Sequence, residues 1–481
     1  MISFIPPLCV ACPEYIILLT ACIALLADLF FSKTCKKAAL WITLFGLLSA
    51  TIISAYSLPV TGESFAFHGL FVIDQSTQLM KMFICLSIFL SYCYSITYLE
   101  ARAVPMADYL VLGLFSTLGM MTIVSSGSLL TMYLGLELMS LPIYAMIGIL
   151  KTSKLAAEAA MKYFVMGSLA SGILLYGFSF IYGVTGYLDL VAIADAIVNH
   201  TQYAHITLVF GLVFILVGVA FKLAAVPFHM WAPDIYEGSP NCVALFISAA
   251  PKIAMIGFML RLMVHVFPAL VQDWQQIILV LALLSTAIGN LLAVVQYNIK
   301  RLLAYSAIAH IGYALFGLAT AHASGYSATL YYILIYALMT IPAFGLIVLL
   351  SQHGVEIQSL DDFKGLNKRN PWLAFLLMIV LFSLAGVPPT VGFFNKLWIL
   401  KVLVAEHMTW AAIYGLLFSI IGAYYYIRII KIMYFDEPII QQPVIIPMIT
   451  QGLFSAHCLA LLYLGFLPAM LMAACMQAYT T

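Results

Sequence analysis

The sequence predicts an all-α, polytopic membrane protein with about 14 transmembrane helices. Of its 481 residues 64% are hydrophobic and only 8% are charged, whereas a soluble domain is about 25% charged. Many apolar runs reach twenty residues, the length that an α-helix needs to cross a bilayer. Strands of a transmembrane barrel would instead alternate over about ten residues. The formal net charge of +1 offers no basic surface for nucleic acid.

Polar, proline and glycine residues divide the apolar sequence into fourteen predicted spans. These are 14–31, 40–58, 74–99, 107–125, 129–150, 158–184, 205–227, 241–266, 274–296, 301–320, 326–351, 371–402, 410–434 and 447–475. The shorter amphipathic stretch 187–200 is expected to lie along the membrane interface.

Positive charges in the loops predict the orientation. Every second loop carries Lys or Arg, with the exception of 232–240, and the intervening loops, such as 59–73 and 185–204, carry none. By the positive-inside rule the charged loops are cytoplasmic, and both termini then face the periplasm.

The N-terminal region and the cysteines give weaker signals. Cys9 and Cys12 form a C-x-x-C, but no second pair follows, so small apolar residues near a helix start are favoured over a redox or metal site. The first thirty residues lack Lys and Arg, which argues against a cleaved signal peptide and for a permanent first helix.

Several ionisable residues fall inside predicted spans. At membrane depth each costs about 2.5–3.5 kcal/mol, and together on the order of 10 kcal/mol, so a function is expected. The alternatives are buried ion pairs that fix helix register and, for His310, an ordinary hydrogen-bonded interior histidine. Arg261 and Lys81 lie nearer to span ends and are predicted to snorkel to the interface. The central set is Glu137, Lys222, Lys252, His310 and Lys396.

The chemistry of this set favours proton transfer. It contains one carboxylate and three lysines, and the sequence has no nucleophile elbow, P-loop or dinucleotide-binding glycine motif. A buried lysine whose partner can move is a switchable proton site.

Interrupted helices support a transport site. Pro227 and Pro233 bracket the exit of span seven, and the long span 371–402 carries AGVPPTVG at its middle. Unwound backbone at membrane depth survives only where it is buried or lines a wet cavity. In corresponding halves of a chain it usually marks the binding site.

An offset of 173–174 residues relates Glu137 to His310 and Lys222 to Lys396. This predicts two inverted five-helix repeats, with broken helices 7 and 12. The expected organisation is N-terminal helices 1–3 (1–106), a first repeat (107–266), a second repeat (274–434) and helix 14 (447–475). The fit is imperfect, since the prolines follow Lys222 but precede Lys396.

Three motifs resemble a known family. LGLELMSLPIY (134–144), FKLAAVPFHMWAPDIYEGSP (221–240) and YNIKRLLAYSAIAHIGY (297–313) resemble the antiporter-like subunits of respiratory complex I, the proton-pumping NADH:quinone oxidoreductase. Among its three paralogous types, PDIYEGSP, the end of the chain after span fourteen and Lys396 favour type N over types L and M.

The resemblance implies a role for each central residue. Glu137 would pair with Lys222 of helix 7, and Lys252 would be the central relay lysine of helix 8. Lys396 would lie near the periplasmic exit, with His310 on the hydrophilic axis between them.

The resemblance also implies wider expectations. Lys162, in EAAMKYF near the cytoplasmic side, and His229 are further possible members of the route. No cofactor is expected on this chain, with NADH, FMN, iron–sulfur clusters and quinone on partner subunits. The expected partners are other membrane subunits, among them subunits M and K, and the lipid bilayer. The expected location is the bacterial inner membrane.

Two other functions stay open at this stage. A subunit of a multisubunit Na⁺/H⁺ antiporter would share the fold and the charges, although YEGSP and the length disfavour it. A quinone-binding membrane scaffold of a redox complex would need a haem, a cluster or a quinone cleft, for which the sequence offers no ligands.

Overall fold

A computed structural model of the protein describes residues 11–30, 37–58, 62–102, 104–198, 202–351, 356–439, 444 and 446–480. Cys9, Lys33 and Lys36 lie outside these residues. In the described part, 13 helices are long and apolar enough to cross a membrane. The remaining predicted crossing, 371–402, consists of two helices of 15 residues separated by a break. The predicted membrane fold is therefore confirmed.

The N-terminal unit contains three spanning helices and a hairpin that was not predicted. Helices α1 (Cys12–Phe30), α2 (Ala38–Tyr56) and α3 (Gln75–Ala101) follow one another, and strands β1 (Ser64–Ala66) and β2 (Phe71–Ile73) pair antiparallel before α3. Asp74 caps α3 by accepting a hydrogen bond from Thr77 N at 2.7 Å, which satisfies a free N–H at the helix start.

The prediction that Lys81 and Arg261 snorkel to the interface is wrong. Lys81 is fully buried, with Nζ 2.7 Å from Glu14 Oε1 of α1. The Arg261 side chain is 5% exposed, with Nη2 2.7 Å from Asp74 Oδ2. Both side chains point at neighbouring helices, and a buried carboxylate is within reach of each.

Burial alone would raise the pKa of the Asp74 carboxyl. The Arg261 guanidinium and hydrogen bonds from Ser76 and Thr77 outweigh burial and hold that pKa well below its usual range. Asp74 and Arg261 therefore form a charged pair at the start of α3.

The first predicted repeat contains the spanning helices α4 (Met106–Val124), α5 (Leu129–Ile147) and α6 (Lys154–Thr185) and the short amphipathic helix α7 (Leu190–Val198). The names helix 7, helix 8 and helix 12 keep the numbers of the predicted membrane crossings, whereas the α labels count every helix. Helix 7 is broken into α8 (Gln202–Leu223) and α9 (Trp231–Gly238). Helix 8 is also interrupted: it comprises α10 (Asn241–Ser248), α11 (Ala250–Leu260) and a π-helical turn (Arg261–Val266). Pro251, directly before Lys252, stands at the start of α11, next to the break between α10 and α11.

The second predicted repeat contains α12 (Val271–Val294), α13 (Ile299–Ala319) and α14 (Ala323–Leu350). After the short α15 (Leu366–Arg369), broken helix 12 comprises α16 (Pro371–Ala385) and α17 (Val391–Ala405), and α18 (Thr409–Phe435) follows. The predicted span 447–475 is not one helix: α19 (Met448–Phe466) ends before Pro468, and α20 (Ala469–Thr480) is separate, because proline cannot continue an ordinary helix.

Close helix crossings occur at equivalent places in the two halves. A Cβ on Gly119 of α4 would stand 2.3 Å from Met139 N of α5, and one on Gly289 of α12 would stand 2.5 Å from Ala309 N of α13. Only glycine permits this approach. The apolar parts of helix 8, α13 and α14 lie entirely inside the bundle, which places the core around these helices. The boundaries and inversion of the repeats stay predictions.

Candidate functional site

All three predicted lysines lie close to helix breaks, and Lys252 is the third residue of α11, directly after the interruption at Ala249. Lys222 is in the last turn of α8, before the irregular segment 224–230. Lys396 is in α17, after the break at 386–390 that separates it from α16. Both side chains are buried. The prediction that helices 7 and 12 are broken near these lysines is confirmed.

Lys222 is held by hydroxyl groups of α5. Its Nζ donates to Ser140 Oγ at 3.0 Å and to Tyr144 Oη at 3.1 Å. In the described residues no carboxylate oxygen lies within 4.0 Å of this nitrogen, so the expected direct ion pair with Glu137 is not formed.

Glu137 nevertheless lies on the same stripe of α5 as the two hydroxyl groups. Ser140 and Tyr144 follow Glu137 by three and seven residues, and side chains at these spacings share one helix face. Among the described residues, buried Glu137 Oε1 has no hydrogen-bond partner, an arrangement that is rare in folded proteins. Ser140 therefore stands between the carboxylate and Lys222 along the stripe.

Aromatic rings connect Lys222 with Lys252. The Lys252 ammonium lies 5.3 Å from the centroid of the Trp231 ring, a cation–π distance. Trp231 stacks on Tyr163 at 4.6 Å, and Tyr163 meets Tyr144 edge-on at 4.8 Å. Tyr163 was not predicted as part of the site, because nothing in the sequence marks it apart from its position one residue after Lys162.

Lys396 is held mainly by a helix end. Its Nζ donates to the Ala385 carbonyl at 2.8 Å and to Ser419 Oγ at 3.0 Å. Ala385 is the last residue of α16, where carbonyl groups lack helical partners and the helix dipole is negative. Gly386 has φ +85°, and a Cβ there would lie 3.0 Å from Lys396 Cδ, so both conformation and space require glycine.

His310 is surrounded by hydroxyl groups. Its Nδ1 is 2.8 Å from Tyr332 Oη and its Nε2 is 3.3 Å from Tyr426 Oη, and Tyr426 is also hydrogen-bonded to Ser306. One ring nitrogen of a neutral histidine donates and the other accepts, so the ring can pass a proton between two hydroxyls.

A stacked pair of tyrosines leads from His310 towards Lys396. Tyr332 stacks on Tyr313 at 6.1 Å, and the Lys396 ammonium is 5.4 Å from the Tyr313 ring centroid. Neither tyrosine was predicted as part of the site, although Tyr313 ends the motif YSAIAHIGY and Tyr332 lies in the tyrosine-rich stretch TLYYILIY.

The two further possible residues differ in their surroundings. Lys162 is 44% exposed and forms ion pairs with Glu158 (2.8 Å) and Asp234 (3.5 Å), so it does not join the buried lysines. His229 is buried in the break of helix 7, and within the described part of the chain its Nδ1 has no hydrogen-bond partner.

A charged cluster lies between the start of α13 and α9, directly after the helix 7 break. Arg301 Nη1 lies 2.7 Å from Asp234 Oδ1 and 2.8 Å from Glu237 Oε2 of α9. Lys300 is buried and donates to the Ser239 carbonyl at 2.8 Å. These contacts attach α9, the short second half of helix 7, to α13.

The fold and the buried lysines define an antiporter-like membrane subunit. Residues 126–422 match the sequence profile of the family described as "NADH:quinone oxidoreductase/Mrp antiporter, TM". The chain is 46% identical to NADH-quinone oxidoreductase subunit N of Coxiella burnetii, with 98% of each chain covered, and 44% identical to that of Nitrosomonas europaea, again with 98% of each covered. The chain therefore belongs to the NADH-quinone oxidoreductase subunit N family.

Solved structures agree with this assignment. A chain of respiratory complex I from Thermus thermophilus matches with a TM-score of 0.81 and 30% identity, covering 96% of this chain and 98% of that one. A chain of the Mrp complex from Dietzia matches with a TM-score of 0.85 and 21% identity, covering 97% of each, a likeness that extends to the fold alone. The family resemblance is confirmed, and the antiporter alternative is the weaker one.

Proposed function

We propose that this chain is the proton-translocating membrane subunit of an NADH:quinone oxidoreductase. Its proton route would contain Glu137, Lys222, Lys252, His310 and Lys396. The observation that carries the proposal is that Lys222, Lys252 and Lys396 are all buried in membrane-spanning helices and that each lies close to a helix break. Buried charges inside a membrane are costly and are retained where they serve transport.

The contacts of these lysines suit reversible proton binding. Lys222 donates to two hydroxyls, and Lys396 to a carbonyl and a hydroxyl. In the described residues neither ammonium has a carboxylate within 4.0 Å. Each can therefore lose its proton without leaving a directly paired carboxylate unbalanced in low dielectric.

The aromatic rings divide the route into segments. Rings of Tyr144, Tyr163 and Trp231 lie between Lys222 and Lys252. Rings cannot relay protons through their faces, so water entering at the breaks, where backbone at membrane depth is unwound, would complete the connection.

The proposal includes an assembly and an orientation. The chain would sit in the bacterial inner membrane with both termini periplasmic, next to subunits M and K. NADH, FMN, the iron–sulfur clusters and quinone would be bound by partner subunits, and this chain would carry out no redox step.

Proton pumping by inverted membrane vesicles that contain the assembled complex tests the proposal. Lys222→Ala is expected to lower NADH-driven acidification at least fivefold, because no titratable group would remain between Ser140 and Tyr144. The matched control is Lys401→Ala, which removes an exposed lysine from α17 and is expected to leave pumping unchanged.

The same assay separates the antiporter alternative. We expect acidification to be independent of added Na⁺, since the route needs only proton carriers. Wild-type pumping by Lys222→Ala, or acidification that follows the Na⁺ gradient and not NADH oxidation, would contradict the proposal.

A further inference from the structure

Helix α14 has a carbonyl group that its own helix cannot satisfy. Pro342 lies inside α14 and has no N–H, so the carbonyl four residues earlier, at Leu338, loses its helical partner. Leu338 is buried, and a buried carbonyl without a donor is unfavourable. A donor from elsewhere in the chain is therefore required.

His457 of α19 supplies that donor. Its Nε2 lies 3.0 Å from the Leu338 carbonyl oxygen. Because a carbonyl can only accept, Nε2 carries the proton, and Nδ1 of the neutral ring is an acceptor. Tyr94 Oη of α3 lies 2.9 Å from Nδ1 and donates to it. One imidazole thus joins α3, α14 and α19.

The packing around Tyr94 is built for this contact. A Cβ on Gly345 of α14 would stand 2.7 Å from Tyr94 Cδ2, so glycine makes room for the ring. Phe454 of α19 meets the same ring edge-on at 5.6 Å. Tyr94 and His457 are both buried. These two side chains come from helices outside the two predicted repeats.

The segment of α14 that they hold faces His310. Tyr332, six residues before Leu338, is the hydrogen-bond partner of His310 Nδ1, and the Tyr336 ring lies 5.0 Å from the His310 ring. We propose that His457 is a positioning residue: with Tyr94 it replaces the hydrogen bond that Pro342 removes, and so holds Tyr332 and Tyr336 against His310. This inference rests on the proposed function, since His310 is taken as part of the proton route.

The test measures protons pumped per NADH oxidised in native membranes, normalised to assembled complex. His457→Leu, which keeps bulk but cannot hydrogen-bond, is expected to lower this ratio at least threefold. His457→Gln retains an N–H donor and an oxygen acceptor and is expected to keep more than half of the wild-type ratio. Tyr94→Phe loses one hydroxyl and is expected to cause about a twofold loss.

The decisive variant restores the missing helical bond. Pro342→Ala returns an N–H to α14, so the Leu338 carbonyl no longer needs His457. The double variant Pro342→Ala with His457→Leu is expected to recover most of the pumping ratio that His457→Leu loses. A residue that only fills space would give no such recovery.

Each outcome decides between the hypotheses. A wild-type ratio for His457→Leu, or a double variant no better than His457→Leu, overturns the positioning role. If His457→Leu does not assemble, Tyr94→Phe decides, and an unchanged ratio overturns the inference. Lys396→Met is measured alongside: full pumping by that variant would refute the proposed route, whereas its loss together with a normal His457→Leu would refute only the role of His457.

Discussion

The two halves of the chain hold their lysines by different means. In the first half, hydroxyl side chains of another helix bind Lys222, and Glu137 lies on the same stripe of that helix. In the second half, the end of a broken helix binds Lys396 through the Ala385 carbonyl. A side-chain carboxylate can move or be protonated, but a helix end is fixed. The first site is therefore the one that can respond to a change of charge.

The groups near the two lysines also differ, being charged in the first half and neutral in the second. In the second half, His310 lies between the hydroxyls of Tyr332 and Tyr426. The first half thus offers charge, and the second offers neutral groups that pass protons. Substitutions in the two halves should therefore reduce proton pumping by different factors.

The largest effect is expected at Lys396. Lys396→Met keeps the length of the side chain but neither donates to Ala385 nor titrates, so pumping should fall at least tenfold. Lys396→Arg stays protonated and should also fail, whereas Lys396→His can still titrate and should retain more activity. Proton pumping per assembled complex in inverted vesicles measures all three. Full pumping by Lys396→Met would refute the route as proposed, because the exit would then have to be at His310 or in a neighbouring subunit.

The sequence predicted where the helices lie better than which way they face. Long apolar runs, the breaks at 224–230 and 386–390 and the lysines beside them were found, because hydropathy and proline act locally. The orientation of Lys81 and Arg261 was missed, since a helix that is apolar on all sides has no periodicity to show its buried face.

The tyrosine partners of His310 and the divided last span were missed for related reasons. Tyr332 and Tyr426 come from two other helices, α14 and α18, and nothing local in the sequence indicates that they converge on His310. The separation of α19 from α20 rests on Pro468 alone, within a run that remains apolar.

A medium loss of proton pumping is expected for substitutions near Lys222, at Glu137 and Ser140. Glu137→Gln removes the charge but keeps the shape, and we expect about a fivefold loss of pumping with the complex assembled. Ser140→Ala leaves Lys222 with Tyr144 as its remaining hydroxyl partner and should cause about a twofold loss. The control is Glu437→Gln, which alters a highly exposed carboxylate.

The order of these two effects sharpens the comparison. A larger loss for Ser140→Ala than for Glu137→Gln would show that the hydroxyl and not the charge sets the behaviour of Lys222. Both lysines would then depend on neutral partners, and the proposed difference between a charged first half and a neutral second half would be wrong.

The smallest effect on pumping is expected for the ion pair outside both halves. Glu14 and Lys81 lie 2.7 Å apart, and removing one leaves the other unpaired in the interior, which costs about 3–5 kcal/mol, whereas removing both can be nearly neutral. Lys81→Met and Glu14→Gln should each shorten the thermal half-life of the assembled complex, and the double variant should recover most of it. Protons pumped per NADH should stay at the wild-type value in all three, because the pair joins α1 to α3 and lies outside the proposed route. If the double variant were stable but pumped fewer protons, the N-terminal unit would belong to the proton route. Charged groups would then take part in that route outside the first predicted repeat as well.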